Sequence, residues 1–182
     1  MITFIHGDIT SVPAEIIVNA ANRSLLGGGG VDGVIHRKAG PQLLAECRTL
    51  HGCETGQAKV TKAYDLSCRW IIHTVGPVWS GGRHQEVDLL ASCYQQSLRL
   101  ARQLQKEHRL SSLTIVFPCI STGIYHFPKA LACSIAVDTV RDTLSELQAE
   151  KEIDVIFCCY ESEDAQLYKR QLDNKGDQTA DS

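Results

Sequence analysis

The chain lacks the marks of several protein classes, and each absence removes one. No apolar run approaches the ~20 residues of a membrane-spanning helix, so no bilayer crossing is expected. No secretory leader precedes the first strand-like segment, Ile2-Thr3-Phe4-Ile5, and a cytoplasmic location is the default expectation. None of the eight cysteines pairs as C-x-x-C. Cys47, Cys93 and Cys133 fall in helix-like stretches, and Cys119, Cys158 and Cys159 in strand-like ones. Buried free thiols are therefore expected, not a disulfide framework or a zinc ribbon. The seven histidines include no H-x-x-x-H pair, and neither a metal nor a cofactor is expected. Lys and Arg form no block and the formal net charge is −3, which argues against binding duplex nucleic acid. A groove of interleaved basic and aromatic residues for single strands is also missing.

What is present is alternation. Strand patterns at Ile2–His6, Ile16–Asn19, Gln57–Tyr64, Trp70–Val75, Leu113–Cys119 and Ile153–Tyr160 are separated by helix patterns. The helix patterns cover Asp32–Arg48, Glu86–Glu107, Pro128–Ala149 and Glu163–Leu172. Nearly continuous apolar strands between helices imply a sheet covered on both faces. The expected fold is α/β: a three-layer α/β/α sandwich around a central mixed, mostly parallel sheet. The length suits one domain, taken as residues 1–172, and the polar stretch 173–182 is expected to fray.

In such sheets ligands bind beyond the carboxyl ends of the strands. Three loops fall there: Gly7-Asp8-Ile9, the segment Asn19 to Asp32, and Ser121 to Tyr125. The second carries four consecutive glycines, Gly27 to Gly30, between a strand signal and a helix signal. Bare glycine backbone can approach a ligand and point N–H groups at it, so a phosphate cradle outweighs a flexible loop. It is neither a G-x-x-x-x-G-K-[ST] loop nor a dinucleotide fingerprint in its usual setting. A small diphosphate can be held by such backbone and by helix N-termini without basic residues.

The side chains beside the cradle each have a plain alternative. Asp32 stands before a helix, where it can serve as an N-cap or orient and deprotonate a water. Asn19 and Asn22 can be turn formers; Asn22 also suits a ribose hydroxyl, while Asn19, ending a buried strand, reads as support. Asp8 can close an Asx turn or accept from an exocyclic amine such as adenine N6. Ser121-Thr122-Gly123 reads equally as an anion nest or a strand-to-helix turn, with Tyr125 over a sugar or ring. Tyr160 can stack on a base or cap the core. His36 and His73 read as packed, hydrogen-bonded histidines.

Together the segments GDIT (7–10), VNAAN (18–22), GGGGVDGVIH (27–36), TGQAKVT (55–61), IHTVGP (72–77) and ISTGIY (120–125) resemble a macrodomain. The resemblance is to the subgroup of bacterial O-acetyl-ADP-ribose deacetylases and MacroD-type mono-ADP-ribosyl hydrolases, and it runs from about Ile2 to about Leu172. It implies ADP-ribose or a molecule carrying it as ligand. Asp8, with the Ile9 N–H, would take the adenine amine. Gly30, Val31 and the loop Ser121, Thr122, Gly123, Ile124 and Tyr125 would wrap the diphosphate and distal ribose. Asn22 would hold that ribose, Asn19 would help shape the site, and Asp32 would be the catalytic carboxylate. The implied activity is ester hydrolysis on O-acetyl-ADP-ribose and on ADP-ribose esterified to Asp or Glu of modified proteins. The alternative is a non-catalytic ADP-ribose reader. Two departures stand out. The loop Ser121 to Tyr125 continues as His126-Phe127-Pro128, where related proteins often carry a glycine near His126, and Leu25 to Val31 replace the Cys/His-rich loop of zinc-dependent macrodomains.

Overall fold

The computed structural model describes residues 1–180. Along them run β1 (Ile2–His6), β2 (Ile16–Ala21), α1 (Gly30–Ala39), α2 (Pro41–Thr49), β3 (Ala58–Lys62) and β4 (Trp70–Val75). Then follow α3 (Glu86–Glu107), β5 (Leu113–Phe117), α4 (Lys129–Glu146), β6 (Ile153–Cys159) and α5 (Ser162–Ala180). The strands form one sheet in the order β1-β6-β5-β2-β4-β3. All neighbouring pairs are parallel except β3 with β4. This is the expected mixed, mostly parallel sheet.

The faces follow from the two-residue period of each strand. On β2, Ile16 and Val18 join a core with α3, α4 and α5, while Ile17 and Ala21 join one with α1 and α2. On β4, Ile72 faces the first core, and Ile71 and Val75 the second. Helices thus cover both faces, giving three layers.

Two expectations about elements change. The helix expected over Asp32–Arg48 is two helices broken at Gly40, whose φ is 91° and which precedes Pro41. The residue before a proline avoids the helical region, and Pro41 instead suits the first turn of α2. At the other end, α5 continues to Ala180, past the boundary expected at Leu172. The last two residues of the expected tail lie outside those described.

The topology also opens a crevice. β2 leads to α1 and α2 on one face, whereas its neighbour β5 leads to α4 on the other. Register between β2 and β5 stops at Ile17↔Val116, while between β2 and β4 it continues to Ala21↔Val75. Beyond Ile17 the chain ends of β2 and β5 diverge, at the kind of switch point where α/β sheets take ligands.

Candidate functional site

Because β1, β6, β5, β2 and β4 are parallel, the loops after them share one edge of the sheet. In spatial order these bring Asp8 and Ile9, then Tyr160, then Ser121 to Tyr125, then Asn22 to Asp32. The three loops singled out in the sequence therefore border the crevice in a row.

At one end Asp32 is buried, with 4% of its surface exposed. It is not an N-cap: α1 starts at Gly30 with Gly29 as its cap, so Asp32 lies in the first turn. The four-glycine run lets the helix begin earlier than a polar cap would have set it. One carboxylate oxygen, Oδ1, accepts from Asn19 Nδ2 at 2.9 Å. His36 Nε2 lies 3.4 Å from the same oxygen, without hydrogen-bond geometry. The other oxygen faces Gly28, where a Cβ would stand 3.2 Å from Asp32 Oδ2 and 3.4 Å from Asn22 Nδ2. Loss of water on burial pushes the Asp32 carboxyl above its usual range, against the opposing pull of the Asn19 hydrogen bond and of His36.

Asn19 is fully buried inside β2, which runs on to Ala21 instead of ending at this residue. Its side chain points to Asp32 and His73, behind the crevice surface. It sits in register with His73 of β4, and the two side chains meet at 3.1 Å. Asn22 is half-buried. Its Nδ2 donates to Gly27 O at 2.9 Å and its Oδ1 accepts from Ser24 Oγ at 2.7 Å, which pins the start of the glycine loop.

The glycine loop is shaped by close approach. A Cβ on Gly33 would meet Gly28 O at 2.6 Å, and Gly27 and Gly30 have φ of 92° and 58°. Val31 is half-buried in the first turn of α1, whose cap makes no side-chain hydrogen bond. The leading N–H groups of such a helix are ready to donate to an anion.

Across the crevice, Ser121 to Tyr125 forms a compact turn. Phe127 N donates to Ser121 O at 2.9 Å, His126 N to Gly123 O at 3.1 Å, and Thr122 Oγ1 to Cys119 O at 3.0 Å. Trp79 N donates to Tyr125 O at 2.9 Å, tying this turn to the loop after β4. Ser121 has φ of 66° and its buried Oγ has no partner in the protein. That hydroxyl lies against Gly76, where any Cβ would collide with it and with Ile120 Cγ2. His126, the departure noted above, holds φ of 58° on the left-handed side, the conformation glycine adopts freely. Gly123 and Ile124 are exposed.

At the far end Asp8 is open to solvent. Its Oδ1 accepts from Thr10 N at 2.9 Å and from Thr10 Oγ1 at 2.7 Å, so the Asx-type turn exists. Oδ2 pairs with Lys38 Nζ at 2.8 Å. Lys38, then the two Thr10 donors, hold the Asp8 carboxyl down at about 2. The Ile9 side chain is buried. Tyr160 is 85% exposed and therefore does not cap the core; its carbonyl lies 3.0 Å from His6 Nε2.

The sequence reading missed the inner row behind Asp32. His73 was expected to be a packed histidine, and it is wholly buried. Its contacts with Asn19, with Thr61 Oγ1 at 2.9 Å and with Cys47 Sγ at 4.0 Å depend on strand register that no local pattern states. Among the described residues, no group of three His, Cys, Asp or Glu side chains is arranged to hold a metal ion, and no helix is long and apolar enough to cross a membrane.

The family model for the Macro domain matches residues 18–136, and the chain belongs to the macrodomain family. It is 55% identical over 168 residues to a macro domain-containing protein of Ralstonia nicotianae, covering 92% of each. It is 49% identical over 174 residues to the human ADP-ribose glycohydrolase MACROD2, covering 94% of this chain and 39% of that protein. A variant of the Oceanobacillus iheyensis macrodomain with ADPR superposes with a TM-score of 0.83 at 38% identity, covering 97% of this chain and 92% of that one.

Proposed function

We propose that this macrodomain binds ADP-ribose in the crevice and hydrolyses esters at its distal ribose. Substrates are O-acetyl-ADP-ribose and ADP-ribose esterified to Asp or Glu of modified proteins. The observation that carries this reading is Asp32: a buried carboxylate with one oxygen held by Asn19 and the other turned toward Gly28 and Asn22. Desolvation that raises a carboxyl brings it nearer the range useful for proton transfer. In this reading the N–H groups of the glycine loop and of α1, with the Ser121–Tyr125 turn, hold the diphosphate. Asn22 fixes the ribose, and Asp32 orients a water and takes its proton as the ester is attacked. Asp8 accepts from the adenine amine, and Tyr160 lies beside the base. Hydrolase activity named for MACROD2 and the ADPR found with the Oceanobacillus macrodomain support the same ligand class.

A reader module needs the cradle but gains nothing from burying a carboxylate beside the ribose. The test is to incubate the full chain with O-acetyl-ADP-ribose and, separately, with a protein mono-ADP-ribosylated on glutamate. Release of acetate and of ADP-ribose is expected. Calorimetric binding of ADP-ribose with neither release would make the protein a reader.

A further inference from the structure

Behind Asp32 the hydrogen atoms can be assigned from their partners alone. The Asn19 amide nitrogen has two hydrogens and two acceptors within reach: Asp32 Oδ1 at 2.9 Å and His73 Nδ1 at 3.1 Å. Nδ1 accepts only when the imidazole carries its proton on Nε2. Thr61 meets that requirement. Its hydroxyl donates to Lys62 O at 3.0 Å, leaving Oγ1 free to accept from His73 Nε2 at 2.9 Å. Burial, with His36 adding to it, holds His73 down at about 3, so the ring is neutral. The Asn19 oxygen, by contrast, is buried with no partner in the protein. An amide turned by half a rotation would point that oxygen at the Asp32 carboxylate. What keeps the nitrogen toward Asp32 is the second acceptor, His73.

We infer that His73 is a positioning residue for the reaction at Asp32: through Asn19 it fixes how the carboxylate is presented, and Thr61 sets the tautomer that lets it do so. The inference rests on the reading of Asp32 as the reacting carboxylate. The titratable groups around Asp32 are His36 on α1, the Cys47 thiol on α2 and, through Asn19, His73 on β4. Cys47 is a neutral thiol, pushed up to about 11 by burial, with Glu46 and Asp32 adding to it.

The test compares His73→Leu, which removes the acceptor, with His73→Asn, whose Oδ1 can take the place of Nδ1. His73→Leu is expected to lower kcat by roughly 10–100-fold, the scale of a small misplacement of a reacting group. ADP-ribose affinity should stay within about threefold, because the ligand-facing groups are intact. The acid limb of the kcat profile should move to higher pH, as a turned Asn19 oxygen opposes the Asp32 charge. His73→Asn should recover most of kcat. Thr61→Val should act in the same direction as His73→Leu and more weakly. Carbon-13 titration of the Asp32 carboxyl should shift upward in His73→Leu, a readout that needs no turnover. An unchanged Asp32 titration in folded His73→Leu overturns the inference, as does His73→Asn losing as much kcat as His73→Leu. If His73→Leu does not fold, an unchanged Asp32 titration in Thr61→Val overturns it. If the wild type releases neither acetate nor ADP-ribose, the reading of Asp32 fails, and the titration alone decides the role of His73.

Discussion

Asp8 and Asp32 border one crevice, and the fold treats their carboxyls in opposite ways. Asp8 is wet, paired with Lys38 and Thr10, and held down at about 2. Asp32 is buried, held by the Asn19 amide with His36 beside it, and pushed up by desolvation. A carboxylate that only has to accept a hydrogen bond from a ligand works best when permanently ionised. One that has to take a proton works best when its charged form is made costly. In the proposed function the contrast would separate the two tasks by environment, with the same functional group in both.

The sharpest way to break the comparison is Asp32→Ala. Turnover on O-acetyl-ADP-ribose should fall by about 10²–10⁴-fold, the usual worth of a positioned acid or base. ADP-ribose binding by calorimetry should change little, because the cradle is backbone. A folded Asp32→Ala protein that still releases acetate at the wild-type rate would remove Asp32 from the reaction and leave the two carboxylates functionally alike.

Asp8→Ala should do the reverse. Binding of ADP-ribose should weaken by about 1–3 kcal/mol, as for a lost hydrogen bond to a charged group, while turnover at saturation holds. The loss should shrink for an analogue without the adenine N6 amine. An equal loss for both ligands would assign Asp8 to its turn with Thr10 and not to the base.

Stability offers a third contrast. A raised carboxyl in the folded state means the unfolded chain releases its proton first, so Asp32 costs stability as pH rises from the ordinary carboxylate range toward neutrality. Asp32→Asn should therefore raise Tm at neutral pH, by ~2–4 °C for each ~1 kcal/mol relieved in a domain of this length. The gain should vanish in acid, and activity should be lost throughout. For Asp8 the sign is opposite: its contribution is present at neutral pH and is lost only as pH falls from about 4 toward about 2.

The smallest effect belongs to Lys38→Met. An exposed ion pair is worth about 0–1 kcal/mol, so ADP-ribose affinity at neutral pH should barely move. Asp8 should then titrate closer to its ordinary range, and affinity should begin to fall at a higher pH than in wild type. Binding isotherms from pH 3 to pH 5 would show it.

Much of this contrast could be anticipated from the sequence, but not its sign. The segments GDIT and GGGGVDGVIH put Asp8 and Asp32 on loops at strand ends, and the structure keeps them there. β1, β4 and α3 match the expected spans because hydrophobic periodicity is a local signal. The break at Gly40-Pro41 was also local and was outweighed by Val34, Ile35, Ala39, Leu43, Leu44 and Cys47, which fall on roughly one face of a continuous helix. What local pattern does not contain is the register that sets Asn19 beside His73, or the sheet order that places Lys38 over Asp8. The partners that set the proton affinity of each carboxyl come from these long-range placements. The N-cap alternative for Asp32 was reasonable for an Asp before a helix and fails because the cap is Gly29, three residues earlier.

The order of the strands has a consequence in time. β1 lies at one edge and pairs with β6, so the earliest of the six strands finds its neighbour in the latest. Long-range parallel pairing of this kind is slow, and domains grow from their N-termini during synthesis. Asn19, Asp32, Thr61 and His73 all come from residues 16–75 and can meet through β2, α1, β3 and β4. Asp8 is made before any of them, yet the strand it follows, β1, and the Gly7 N–H beside it find their partners only when β6 is made. A growing chain can therefore assemble the Asp32 end of the crevice before β6 completes the sheet at β1.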